Sequence, residues 1–126
     1  AMAVAEAFDD VPFVFAKKTK SAITADNNSF SSDVMSFTRG IVSTITVDKR
    51  FIKEGENILL VDDFLASGNA GIGLIDICRQ ANANVIGLCA VIEKGFQDGR
   101  KRLENEGIKV SSAAIIKAFK NNKPIF

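Results

Sequence analysis

At 126 residues the chain is long enough for one domain with one real core, and 47% hydrophobic against 25% charged residues is ordinary for a globular protein. A net charge of +1 gives no general case for nucleic acid or membrane, and no apolar run approaches a membrane span. With no histidine present, His-based triads and His-containing zinc sites are excluded.

Residues 1–8, Ala-Met-Ala-Val-Ala-Glu-Ala-Phe, are helix formers with no capping residue ahead of them, so the sequence opens as if inside a helix. They do not read as a signal peptide. Asp9, Asp10 and Pro12 close this helix, and Val11 to Phe15 read as a buried strand. Lys17, Lys18 and Lys20 follow at its carboxyl end. A solvated loop would carry such lysines, and so would a site that offsets a departing polyanion. From Ser21 to Arg50 the chain is dense in Ser, Thr, Asn and Asp, with a turn signal at Ala25-Asp26-Asn27-Asn28. Two strand-like runs, about Val34 to Thr38 and Ile41 to Val47, flank Arg39-Gly40 as a hairpin. A polar excursion of this length suits an active-site lid or an ordinary surface hairpin.

Ile58-Leu59-Leu60-Val61 is the central strand, expected to end at the acids Asp62 and Asp63. A small-residue loop, Ala66-Ser67-Gly68-Asn69-Ala70, then opens a helix reaching about Ala81. Ligands of open α/β sheets bind where strand carboxyl ends meet helix N-termini. N–H groups there favour an anion. The paired carboxylates repel a phosphate but accept hydrogen bonds from vicinal hydroxyls and suit a hard cation such as Mg²⁺. Anion site and diol-seeking acids together describe a phosphorylated ribose. No P-loop is present, and Gly68, Gly71 and Gly73 do not have dinucleotide-fingerprint spacing.

Ile72, Leu74, Ile75, Ile77 and Cys78 make an apolar stripe for covering a sheet, and Val85 to Ile92 read as a strand covered on both faces. Strand, helix, strand implies a right-handed parallel crossover and a doubly wound α/β sheet. Lys94 and Phe96 fall on the same edge as Asp62, where a lysine can read purine carbonyls and a ring can stack. Asp98 is placed to cap a short helix with Leu103 facing inward and Gly107 ending it; Ile108 to Ile116 supply a further strand. Cys78 and Cys89 lie in apolar runs, which favours buried reduced thiols and a cytoplasmic setting.

Three segments together carry a resemblance: Val11-Pro12-Phe13-Val14-Phe15-Ala16-Lys17-Lys18, the run from Ile58 to Ala70, and Val91-Ile92-Glu93-Lys94-Gly95-Phe96-Gln97-Asp98-Gly99-Arg100. The second resembles the phosphoribosyl-pyrophosphate (PRPP) signature of type I phosphoribosyltransferases. All three, over essentially the whole chain, resemble the bacterial xanthine phosphoribosyltransferases of that family. The resemblance implies a single core domain over residues 1–126, with a doubly wound, mainly parallel sheet flanked by helices and a flexible lid hairpin. It implies a cytoplasmic homodimer that uses Mg²⁺ and converts xanthine and PRPP to xanthosine 5′-monophosphate and pyrophosphate, with no nucleic-acid or membrane partner. Ala66, Ser67, Gly68, Asn69 and Ala70 would hold the 5′-phosphate, and Asp62 and Asp63 would face the ribose hydroxyls as the catalytic pair. Lys94, with Phe96, would meet the base, while Lys17, Lys18 and Lys20 would face pyrophosphate.

Two departures accompany it. The family's N-terminal section, with a first strand and a pyrophosphate loop, is not in this sequence, which is expected to represent a truncated chain. Ala66 stands where hypoxanthine–guanine enzymes place an acid near the purine, so no carboxylate handles a proton there. A PRPP sensor without turnover, or a transferase for another purine base, would share these features, although nothing resembles a helix-turn-helix.

Overall fold

A computed structural model describes residues 1–19, 27–36 and 40–126. The opening helix formers make α1 (Met2–Ala7), which starts at Ala1 without a side-chain cap and stops before Asp9 and Asp10, both at positive φ. The next run departs from expectation. Residues 11–16 join no ladder, and Val11, Phe13, Val14 and Phe15 are exposed. The strand β1 (Lys17–Thr19) forms from the lysines instead. An apolar run makes a strand only where a sheet edge pairs with it, and Pro12 has no N–H to donate.

The polar stretch forms the expected hairpin. Its strands are β2 (Ser29–Ser36), which starts well before Val34, and β3 (Ile41–Asp48), with Ser36 opposite Ile41. Phe37, Thr38 and Arg39 lie outside the described residues. β1 adds to the other edge of β3, placing Lys17 opposite Thr46.

The central sheet is parallel, in the order β4 (Asn57–Leu65), β5 (Asn84–Lys94), β6 (Val110–Ile116). Its crossovers are α2 (Asn69–Gln80) and α3 (Gly99–Asn105). Asp98 is the N-cap of α3, but its side chain makes no cap bond; the Asp98 carbonyl instead accepts from the Arg102 N–H. Gly107, at φ +80, ends that turn, and the Ile108 N–H donates back to the Leu103 carbonyl. The lysine-bearing tail folds as a small antiparallel hairpin of β7 (Ala118–Lys120) and β8 (Lys123–Ile125).

Helix α2 has two apolar faces. Ile75 and Cys78 pack with Leu60, Leu88 and Leu103 above the central sheet. Ile77 packs with Val34, Ile45 and Val47 of the hairpin. The hairpin is therefore anchored along one face by the helix that follows β4. Two glycines allow the double packing: a Cβ on Gly71 would lie 2.9 Å from Leu103 Cδ2, and one on Gly73 2.5 Å from Val34 Cγ2. Leucine can turn aside, whereas β-branched Val34 is stiff. Gly73→Ala is thus expected to lower stability by about 1–3 kcal/mol through overpacking, read by urea unfolding.

Both crossover helices lie on one face of the central sheet, and Val4 of α1 meets the other across a cleft lined by Val61, Cys89 and Val91. That six-residue helix covers only part of its face. Ile86 and Val91 stay 53% and 55% exposed, so β5 is not covered on both sides along its whole length. Among the described residues no helix is long and apolar enough to cross a membrane, and both cysteines are free thiols.

Candidate active site

The strand does not end at the acids. Asp62 pairs with Ala90, Phe64 with Ile92 and Leu65 with Glu93, so both carboxylates project from β4 itself and the loop begins after Leu65. Parallel pairing with the long β5 carries the ladder past the apolar run. Asp62 is half-buried and Asp63 exposed. Burial raises the Asp62 pKa above the usual aspartate value, aided by the neighbouring Asp63 carboxylate and partly opposed by the Asp63 N–H, which donates to Asp62 Oδ1 at 2.9 Å.

Ala66 to Gly68 then turn the chain into α2. Gly68 is the N-cap at φ +80, and no side chain caps the helix, so the first-turn N–H groups are left without side-chain acceptors. The geometry is held from the β5–α3 loop. Gly99 N–H donates to the Ala66 carbonyl at 3.1 Å, and a Cβ on Gly68 would lie 3.1 Å from Gly99 Cα. Two loops expected on one sheet edge are thus joined backbone to backbone.

Arg102, Met35 and Ser112, which the pattern does not single out, complete the frame together with motif residues. Arg102 Nη1 donates to the Ser67 carbonyl and to Asn69 Oδ1, each at 2.6 Å, and Asn69 Nδ2 donates to the Met35 carbonyl of the hairpin, also at 2.6 Å. Arg100 grips the buried Glu93 with two bonds, Nε to Oε1 at 2.9 Å and Nη2 to Oε2 at 2.6 Å; Ser112 Oγ donates to the same Oε2 at 2.5 Å. These hydrogen bonds hold the Glu93 carboxyl below the usual glutamate value against its burial, that from Arg100 most strongly.

Lys94, the last residue of β5, places Nζ 5.2 Å from the centroid of the Phe64 ring, next in sequence to Asp63. Asp62, Asp63, the 66–70 loop and Lys94 therefore share the carboxyl edge of the sheet. Phe96 is half exposed, and its ring stands edge-on to Phe119 of β7, with centroids 5.9 Å apart.

The basic segment lies elsewhere. Lys17 is opposite Thr46, level with Ser31, whose carbonyl accepts from Gln80 at the far end of α2. Met35, bonded to Asn69, is level with Val42 near the other end of the hairpin. Lys17 and Lys18 thus sit toward the end of α2 away from the loop, on a helix whose length is about 18 Å at 1.5 Å per residue. Lys20 lies outside the described residues.

Chemically, the edge combines an uncapped helix N-terminus for an anion, two carboxylates for hydroxyl donors or a hard cation, and a lysine for a carbonyl. The model of the phosphoribosyl transferase domain family matches residues 1–123. A xanthine phosphoribosyltransferase of Clostridium novyi is 48% identical over 98% of this chain and 64% of its own length. One from Leuconostoc mesenteroides is 50% identical over 92% of this chain and 61% of its own. The chain thus spans a little under two thirds of the curated relatives it matches. Among solved structures, adenine phosphoribosyltransferase of Thermoanaerobacter pseudethanolicus superposes with a TM-score of 0.70 at 20% identity, covering 90% of this chain and 61% of the other.

Proposed function

This chain belongs to the phosphoribosyltransferase family and has its fold, and on that premise we propose that it serves xanthine salvage. The reaction is transfer of 5-phosphoribose from PRPP to xanthine, giving xanthosine 5′-monophosphate and pyrophosphate, by a cytoplasmic homodimer. The observation that carries this reading is the pair Asp62–Asp63 running within one short loop into the uncapped N-terminus of α2. The similarity to enzymes named for xanthine supports xanthine as the base.

In this reading the backbone N–H groups of Ala66 to Ala70 bind the 5′-phosphate, and Asp62 and Asp63 accept from the ribose hydroxyls. The ribose is thereby fixed while it takes on oxocarbenium character, and Lys94 orients xanthine through its carbonyl oxygens. Phe96 is assigned to the outer wall of the base site. Two adjacent carboxylates suit Mg²⁺, which keeps most of its ligands as water and substrate phosphate. Asp62 and Asp63 would lie beside it, and with PRPP bound it would supply positive charge to offset the leaving pyrophosphate. Lys17, Lys18 and Lys20 are assigned to pyrophosphate; the described members reach it only if β1 and the hairpin shift toward the loop as a lid.

Base-dependent pyrophosphate release from PRPP and Mg²⁺, compared for xanthine, guanine, hypoxanthine and adenine, tests the proposal. Preference for xanthine is expected. Preference for another base would replace the substrate, and PRPP binding without turnover would make the chain a sensor.

Two substitutions test the acids. Loss of one charged hydrogen bond costs about 1.5–3 kcal/mol, so Asp63→Asn is expected to weaken PRPP binding about tenfold or more by calorimetry. Because the Asp62 pKa is raised, its charge disfavours the folded state: its contribution is best below the ordinary aspartate value and is lost as pH rises through the raised one. Asp62→Asn should therefore raise the melting temperature of the ligand-free chain at neutral pH, with the gain vanishing on acidification. An equal gain at pH 3 and pH 7 would contradict that origin.

A further inference from the structure

Asn69 is the first residue of α2, yet its side chain does not turn in to cap the helix. It is drawn sideways by two neighbours that differ in kind. Arg102 can only donate and the Met35 carbonyl can only accept, so the amide is fixed with Oδ1 toward α3 and Nδ2 toward the hairpin. The same guanidinium nitrogen holds the Ser67 carbonyl, one step before Gly68. Three elements distant in sequence, β2, the 66–70 loop and α3, therefore meet at a single side chain. All three bonds are 2.6 Å long, and those from Arg102 are partly shielded from water.

Resting on the phosphate-loop reading above, we infer that Asn69 and Arg102 are positioning residues that clamp the hairpin to the phosphate loop. The clamp has two consequences. It keeps an amide acceptor off the helix N-terminus, leaving the first-turn N–H groups to a phosphomonoester. It also ties the Met35 end of the hairpin to the loop, so phosphate occupancy and hairpin position are coupled. Arg102 brings a positive charge beneath the loop as well, favouring the same anion.

Two measurements separate the clamp from the reading it rests on. In the ligand-free chain, hydrogen exchange of the Ile41 and Val42 amides is expected to quicken about fivefold or more in Asn69→Ala and Arg102→Met, while Leu88 in the central sheet keeps its rate. Unchanged exchange at Ile41 and Val42 overturns the clamp whatever the ligand results. Titration with ribose 5-phosphate is then expected to show about tenfold weaker binding in Arg102→Met. Arg102→Lys, which keeps a donor to one oxygen, should fall between, and inorganic pyrophosphate affinity should not change. Loss of affinity for both anions alike would make Arg102 a general structural residue and overturn its positioning role. Failure of the unsubstituted chain to bind ribose 5-phosphate would overturn the phosphate-loop reading, leaving the exchange rates to decide the clamp alone.

Discussion

Arg100→Ala is expected to destabilise the chain by about 3–5 kcal/mol, because it strands a buried carboxylate. Glu93 is only 3% exposed and lies near the end of β5, where it depends on the two bonds Arg100 gives it. Arg100 also donates to the Val110 carbonyl at 2.8 Å, so the substitution loosens α3 from β6 as well. The pH dependence identifies the cause. With Arg100 present, the lowered Glu93 pKa gives stability that is present above the ordinary glutamate value and lost as pH falls through the lowered one. Without Arg100, burial alone acts and favours the neutral acid. The gap between the two proteins, measured by urea unfolding, should therefore be widest near neutrality and narrow on acidification. Replacing both partners, as Glu93→Leu with Arg100→Met, should recover most of the loss, since a buried pair exchanged for apolar groups is often neutral. A gap that persists unchanged at low pH would assign the damage to lost packing. Lys94 follows Glu93 directly, so this pair also fixes the strand end that carries the lysine assigned to the base.

The parts of this site that lie along one stretch of chain were legible in the sequence. An apolar strand, two acids and a glycine loop place Asp62, Asp63 and Gly68 on one edge by local rules alone. The frame around them was not, because it depends on how separate segments meet. Arg102 carries no signal of its role until α3 is set against the loop, and Asn69, read only as part of the phosphate loop, also gives its amide to the Met35 carbonyl. Glu93 reads as a polar strand end, and only the pairing of β5 with β6 brings Ser112 onto the same oxygen that Arg100 holds. The setting of Lys17 and Lys18 was not legible either, for a related reason. Their position after an apolar run suggested a strand end beside the loop, but among the described residues Val11 to Phe15 join no ladder and β1 joins the hairpin. Burial pattern identifies a strand's faces; it does not identify its neighbour.

Gly99 is where this dependence on neighbours is sharpest, and Gly99→Ala is expected to have the largest effect on ligand binding. The residue has no unusual backbone angle, so conformational freedom is not what selects glycine there. Space is. A Cβ at Gly99 would collide with the Ala66 carbonyl oxygen and stand 3.0 Å from both Gly68 N and Leu65 Cδ1. Those are mostly backbone atoms of the loop assigned to the 5′-phosphate, and they cannot swing aside as a leucine would. Either the Gly99 to Ala66 hydrogen bond breaks or the whole 66–70 loop shifts. Overpacking of this kind costs about 1–3 kcal/mol of stability. A shift of about 1 Å in a positioning loop can cost about a hundredfold in turnover, and PRPP affinity should fall with it. Gly107→Ala is the matching control. It strains a φ of +80 with nothing within 4 Å of the added carbon, so it lowers stability without touching the loop. If both substitutions lower the unfolding midpoint but only Gly99→Ala weakens ribose 5-phosphate binding, the effect belongs to the contact between the two loops. Normal binding in Gly99→Ala would mean the loop keeps its shape without that contact, and phosphate recognition would then rest on the N-terminus of α2 alone.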